Sequence, residues 1–373
     1  MNPGGIRDVR KKRILIINTG VQSIKIAIFD EDKVVFNKTI REQKVQPIND
    51  YITLQKQLTA TKQRLLLQLK KAKIEMKSID LIVSNTGYIQ PVKSGAYTIN
   101  EAMVSDLIEH SFYEAEGSFG AILAHSLAEY YQVPAITYDP PTVDELQDVA
   151  RVSGHPDFVR RSYFNALNQK AVGRHIAKKI GTTYEEAKFI IVHLGSAVSV
   201  GAHENGKVID VNNGYYGEGP FSTIRTGSLP MEAVMKKYIA SPEEVKELPL
   251  ILKQGGFLGY LGTDSLTDVE WRIVEDDQEA IAIYDAMTYQ IAKEIGAYAT
   301  VLKGNVDAVI LTGGMSISPF LVKKISEYIK WIAPIHIVED QLEMQTLSQV
   351  GLRVLNNEEE VMMYTSCDAK RHK

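Results

Sequence analysis

Two polar loops stand where a backbone could hold phosphate. Asn18-Thr19-Gly20 follows the apolar run 14–17, and His193-Leu194-Gly195 follows the apolar run 189–192. Two more glycines close apolar runs in SIDLIVSNTG (78–87) and NVDAVILTGG (305–314). Glycine lets backbone N–H groups approach an anion closely, and ligands of open α/β sheets bind beyond the carboxyl ends of strands. The same residues also make ordinary tight turns, so the loops acquire meaning only from the elements around them.

Those elements come in pairs. Residues 14–17, 24–29 and 34–40 read as strands joined by a polar turn at 30–33. Residues 189–192 and 198–202 repeat the plan, with Asn205-Gly206 as a hairpin turn. Gly20 and Gly195 occupy corresponding positions 175 residues apart, and Asp80 and Asp307, each just before a short apolar strand, are 227 apart. A helix is expected before each of these strands. Leu54, Leu58, Leu65 and Leu69 form a stripe within 53–77, and Ile283, Met287, Ile291 and Ile295 form one within 282–302. Further expectations are a strand at 136–138 ending at Asp139, helices at 143–152 and 163–179, and then a helix at 341–350, a strand at 352–355 and a helix at 357–365. The pattern implies duplicated α/β domains around a cleft. One spans 13–183 and is completed by 350–373 packing back; the other spans 184–349.

Composition narrows the function classes. The 373 residues are 45% apolar, enough for substantial cores, and 42 Lys plus Arg against 46 Asp plus Glu give a net charge of -4. Such a field offers no general attraction to nucleic acid or an anionic membrane. The lone Cys367 excludes an intrachain disulfide framework, residues 1–12 lead straight into a strand pattern, and no apolar run approaches a bilayer span. A cytoplasmic protein is expected. Neither a G-x-x-x-x-G-K-[ST] loop nor a G-x-G-x-x-G fingerprint occurs in its proper context, so a P-loop enzyme or nicotinamide dehydrogenase is not supported.

Longer motifs carry a specific resemblance. They are DPPTVDELQDVARVSG (139–154), ALNQKAVGRHIAKK (166–179), VIDVNNGYYGEGPFSTIRTGSLP (208–230), GGFLGYLGTDSLTDVEWRI (255–273) and GLRVLNNEEEV (351–361). In these stretches the chain resembles the acetate and butyrate kinase family, within the superfamily of acetate kinases, sugar kinases, heat-shock ATPases and actin. The resemblance implies duplicated ribonuclease H-like domains and reversible phosphoryl transfer between ATP and a short carboxylic acid, such as butyrate or a branched acid, giving ADP and an acyl phosphate. A homodimer or higher homo-oligomer is also implied.

Site residues follow from the same resemblance. Arg225 matches the family's arginine, whose fork can bind a carboxylate or the transferring phosphoryl group. Asp139 and Glu358 match acidic positions of the Mg2+ region. Asn18, Gly20 and Lys25 match the first phosphate-proximal loop, His193, Gly195 and Gly201 the second, and Gly313 and Gly314 border the adenine or ribose region. Several positions depart from the pattern. Asn85 stands in place of the arginine of an R-G-G stretch, and Asn165 in place of the histidine of F-H-A-L-N-Q-K. Val21 and Gln22 replace small hydroxyl residues, HLGSA replaces H-L-G-G-G, and EAEGSFGA (114–121) replaces E-H-A-S-N-L-G-A. Asn donates hydrogen bonds but brings no positive charge. Two readings therefore stand: an active butyrate kinase-like enzyme in which Arg225, Asp139, Asn165 and Asn85 act on the substrates, or a weak or inactive relative that binds nucleotide or acyl phosphate.

Overall fold

A computed structural model describes residues 11–20, 23–41, 51–109, 115–339 and 342–366. The readings made on residues 1–10, Val21, Gln22, Glu114, Gln341 and Cys367 lie outside the described residues. The described strands are β1 (Arg13–Thr19), β2 (Ser23–Asp30), β3 (Lys33–Arg41), β4 (Leu81–Ser84), β5 (Ala96–Thr98), β6 (Ala135–Tyr138), β7 (Lys188–Leu194), β8 (Val198–Glu204), β9 (Lys207–Val211), β10 (Ala308–Thr312), β11 (Ile335–Val338) and β12 (Val361–Met362). They form a seven-stranded sheet, β12-β5-β6-β4-β1-β2-β3, and a five-stranded sheet, β11-β10-β7-β8-β9. The chain divides into two compact units. The first holds the described residues up to Gln90, Ser94–Pro140 and those from Glu343 onward; the second holds Pro91–Lys93 and Pro141–Leu342.

The units share one wiring. β1 pairs antiparallel with β2 and parallel with β4, as β7 does with β8 and β10. The two spaced aspartates explain themselves here. Arg13 N donates to Asp80 Oδ2 at 2.7 Å while Asp80 N donates to Arg13 O at 2.8 Å. Lys188 N donates to Asp307 Oδ2 at 2.7 Å while Asp307 N donates to Lys188 O at 2.8 Å. Asp80 thus fixes the start of β1 and Asp307 the start of β7. The hairpins also carry register shifts at matching places, Ile28/Phe29 and Ala202/His203.

Continuous apolar strands imply cover on both faces. In the second unit Ile190, Val192 and Leu194 pack with the helix Gln278–Val301, while Phe189 and Ile191 pack with Val172 and Ile176 of the helix Ala166–Lys179. In the first unit Ile14 to Ile17 are all fully buried, and the helices Ala115–Tyr131 and Glu343–Leu355 both pack on β1 and β4. The expected leucine stripe is buried in the helix Tyr51–Lys71. Among the described residues no helix is long and apolar enough to cross a membrane.

Some expected elements differ. The division expected at 183/184 falls inside the second unit, because the helix Ala166–Lys179 covers the sheet of β7 and β10. Only Asp148–Arg151 is helical within 143–152, since Val143 bridges Val92 and Asp144 N donates to Val92 O in extended pairing. One helix, Glu343–Leu355, replaces the expected helix and strand. Asn357 then takes a left-handed φ of 60°, and the residues after it add β12 to β5 instead of forming a helix.

Candidate active site

Arg225 sits in the second unit on a turn built around Ser222. Ser222 N donates to Arg225 O at 3.0 Å, and Ser222 Oγ accepts from Arg225 N at 3.0 Å while donating to Ser196 O at 2.5 Å. That last bond joins the arginine's turn to the His193–Ala197 loop. Gly255 N donates to Ile224 O at 3.0 Å and Leu258 N to Thr223 O at 2.8 Å, bracing the turn from outside. Gly256 has φ of 57°, and a Cβ there would collide with the Ser222 carbonyl. Arg225 itself is 5% exposed; its guanidinium lies 4.9 Å from the centroid of the Tyr215 ring, and Nη1 donates to Tyr215 O at 3.3 Å.

Asn165 precedes the helix Ala166–Lys179 but does not cap it through its side chain. Its Nδ2 donates to Tyr215 Oη at 3.3 Å and its Oδ1 accepts from Ser199 Oγ at 3.2 Å. Gln169 Nε2 donates to Ser199 Oγ at 2.9 Å, Gln169 Oε1 meets His203 Nε2 at 2.9 Å, and His203 Nδ1 meets Tyr184 Oη at 2.7 Å. Burial, with the charges of Lys170 and Arg174, holds the His203 pKa well below its usual value. Arg225 and Asn165, 60 positions apart, therefore meet on one tyrosine.

His193, half-buried, follows the fully buried residues 189–192 of β7, with Nδ1 2.8 Å from Asn168 Oδ1. Burial pushes its pKa down to about 4, so it is neutral near pH 7. Gly195 passes close over this ring, where a Cβ would lie 3.0 Å from Nε2. Across the sheet His193 is in register with Thr312 of β10. Thr312 is fully buried, and its Oγ1 has no hydrogen-bond partner among the described residues. Gly313, at φ of 92°, lies against the Leu194 backbone, and a Cβ at Gly314 would meet nothing within 4 Å. An open glycine beside an orphaned buried hydroxyl fits a polar ligand such as a nucleotide. Gly201 is different: it lies in mid-strand, and its missing Cβ makes room for Gln169 Oε1, which would be 2.6 Å away. Packing against Gln169 therefore requires a glycine here, whatever its place at the phosphate.

In the first unit, Asn18 and Lys25 are directly opposed across the β1–β2 hairpin, and Gly20 N closes the loop onto Ser23 O at 2.9 Å. Asn85 is bound to the end of β1. Its Oδ1 accepts from Thr19 N at 2.9 Å and Thr19 Oγ1 at 3.1 Å, and its Nδ2 donates to Thr19 O at 2.8 Å. The amide is a bracket on the end of that strand. Asp139, 1% exposed at φ of 42°, accepts from Ser94 Oγ at 2.5 Å and Gly95 N at 3.0 Å. Glu358 is exposed and accepts from Asn356 Nδ2 at 3.2 Å. Because Ala96 pairs with both Tyr138 and Val361, the residues just after β6 and just before β12 share one end of the sheet. No group of three His, Cys, Asp or Glu side chains gathers among the described residues. One or two carboxylates still suit Mg2+, which keeps waters and phosphate oxygens in its shell.

Sequence reasoning missed Tyr215 and Ser222. Tyr215 had one visible signal, its place in the glycine-rich NNGYYGEGP run ten residues before Arg225. Ser222 had none beyond proximity.

Two sheets of shared wiring, each flanked by helices, define a duplicated α/β fold of the ribonuclease H-like type. An acetate kinase from Porphyromonas gingivalis superposes with a TM-score of 0.73 at 16% identity, covering 92% of this chain and all of that one, a likeness of fold. The chain belongs to the acetokinase family, whose model matches residues 149–363. It is 40% identical over 352 residues to a probable butyrate kinase of Listeria welshimeri, covering 94% of this chain and 99% of that protein. It is 41% identical over 353 residues to butyrate kinase 1 of Clostridium acetobutylicum, with the same coverage.

Proposed function

We propose that the chain is an ATP-dependent carboxylate kinase acting reversibly on butyrate or a branched short-chain acid. The observation that carries this reading is Arg225, a buried guanidinium fixed on a braced turn that is bonded to the His193–Ala197 loop, in a chain of this family. A carboxylate is already nucleophilic. One of its oxygens attacks the γ-phosphorus, the bond to the bridging oxygen breaks, the electron pair leaves with ADP, and no proton moves. Catalysis is then alignment of two anions and stabilisation of spreading charge.

The residues divide that work. Arg225 binds the carboxylate or the transferring phosphoryl through its N–H fork. Backbone N–H groups around Gly195 orient phosphate, while neutral His193, with Nδ1 at Asn168, contributes position rather than charge. Asn165 is an ordered hydrogen-bond donor in place of a cation. Gly313 and Gly314, beside Thr312, receive the nucleoside end, and Asn18, Gly20 and Lys25 line the first unit's phosphate loop. Asp139, oriented by Ser94 and Gly95, would hold Mg2+ directly or through water, with Glu358 in a supporting place. Bound Mg2+ supplies neutralisation of the phosphate oxygens.

The helix Met231–Ala240 has no buried residue, and Met231, Met235 and Ile239 are 69%, 52% and 72% exposed at successive i, i+4 positions. This apolar stripe supports a homodimer or higher homo-oligomer, and sedimentation of Ile239→Asp against the parent tests it. A single cysteine supports a cytoplasmic location. The function is tested by trapping acyl phosphate with hydroxylamine across acetate, propionate, butyrate, isobutyrate and isovalerate. Butyrate or a branched acid should give the highest kcat/KM. Folded protein that binds nucleotide yet never forms acid-dependent product would instead establish the noncatalytic reading.

A further inference from the structure

A catalytic arginine has conflicting needs: it must be held still and largely dry, yet keep its charge and N–H donors for the substrate. A carboxylate partner would hold it at the expense of both. The face of an aromatic ring holds it without neutralising it, because the quadrupole attracts the cation while the in-plane N–H edge stays directed elsewhere. Tyr215 presents this arrangement to Arg225, with the guanidinium 4.9 Å from the ring centroid and Nη1 on the tyrosine's own carbonyl at 3.3 Å.

The tyrosine is itself fixed. Its ring meets Tyr163 edge-on at 4.8 Å, and its loop is pinned to β8 by Asn212, which accepts from Val200 N at 2.6 Å and donates to Val198 O at 3.1 Å. Gly214 beside it packs so tightly on the Val198 carbonyl that a Cβ could not be placed. At its far end the phenol oxygen accepts from Asn165 Nδ2 at 3.3 Å. One side chain thus touches two of the residues assigned to the chemistry, through different groups.

We propose that Tyr215 is the positioning residue of the active site, its ring face clamping Arg225 and its hydroxyl setting Asn165. The proposal rests on reading Arg225 as the anion-binding arginine. The two contacts are separable by mutation. Tyr215→Phe keeps the ring and should lower kcat/KM for the acid by about 3-fold, the worth of one neutral hydrogen bond. Tyr215→Leu removes the clamp and should lower it about 30-fold, the upper range for a desolvated cation–π contact, with the KM for ATP unchanged. Adding Tyr215→Leu to Arg225→Ala should cost no more than the roughly 3-fold of the lost Asn165 bond, because the ring clamp acts only through the arginine.

A readout independent of turnover completes the test. In protein carrying 15N-arginine, the Arg225 Nε–Hε signal is identified by its loss in Arg225→Ala. It should be ring-shifted upfield in the parent and in Tyr215→Phe, and return to the ordinary arginine position in Tyr215→Leu. An Arg225 signal unmoved by Tyr215→Leu, or a Tyr215→Leu effect of full size in the Arg225→Ala background, overturns the proposal. A parent with no acid-dependent turnover defeats the proposed function instead, and the spectrum still decides whether the clamp exists.

Discussion

Replacing Asn85 with alanine removes three hydrogen bonds that all end on Thr19, two from its N–H and hydroxyl and one to its carbonyl. Thr19 is only 6% exposed, so water cannot readily take the amide's place. The helix Ala115–Tyr131 closes over the same spot at Gly120, whose Cβ would stand 2.6 Å from Thr19 Oγ1 and 2.8 Å from Asn85 Oδ1. The threonine hydroxyl can rotate to another acceptor, leaving one orphaned N–H and one orphaned C=O. At about 1–3 kcal/mol for each unsatisfied buried group, the variant should lose about 2–6 kcal/mol. For a unit of this size that corresponds to a fall in Tm of about 6–18 °C. Thermal melts, together with hydrogen exchange at the Thr19 amide, measure the effect directly. If the amide acts only as this bracket, turnover measured well below the melt should stay within about 3-fold of the parent. An unchanged Tm combined with a hundredfold fall in kcat would refute the bracket and return Asn85 to the substrate. Asn85→Arg, which restores the family's residue type, should destabilise as much and raise activity not at all.

Three further outcomes follow from the geometry. Gly256→Ala forces a side chain into the Ser222 carbonyl at a left-handed φ, and should abolish the arginine turn; a kcat within tenfold of the parent would contradict that turn's role. Ser222→Ala orphans the Arg225 N–H and frees the turn from Ser196, so kcat should fall about 10- to 100-fold with a stability loss of about 1–3 kcal/mol by chemical denaturation. His193 has a folded pKa near 4 against 6.5 unfolded, so the unfolded chain binds the extra proton; stability is complete above pH 6.5 and declines as pH falls toward 4, by on the order of 3 kcal/mol. His193→Gln should flatten that decline in pH-dependent denaturation, and a slope identical to the parent's would assign the proton elsewhere.

The duplication was legible because its signals are local. A strand, a glycine loop and a returning strand lie within one run of sequence, and the aspartates before β4 and β10 sit beside the strands they anchor. The helix Ala166–Lys179 misled the domain boundary for a related reason: it precedes the repeat in sequence but covers its sheet, and only Val172 and Ile176 against Phe189 and Ile191 reveal that. Asn85 could be aligned with a family arginine, yet its partner Thr19 lies 66 positions away, and no local pattern announces the bracket. Gly201 matched a motif for a packing reason, the bulk of Gln169, that also acts across the fold. Tyr215 was missed although it lies inside a matched motif, because its meaning comes from Arg225 above its ring and Asn165 at its hydroxyl.

The central claim is that Arg225 performs the electrostatic work of an ATP-dependent carboxylate kinase. The most direct measurement is hydroxylamine-trapped acyl phosphate from ATP, Mg2+ and butyrate, comparing the parent with folded Arg225→Ala. The account predicts product that requires the acid and falls at least a hundredfold in the variant, the scale of losing a principal transition-state donor. Equal product from the two proteins, or product formed without the acid, would contradict it.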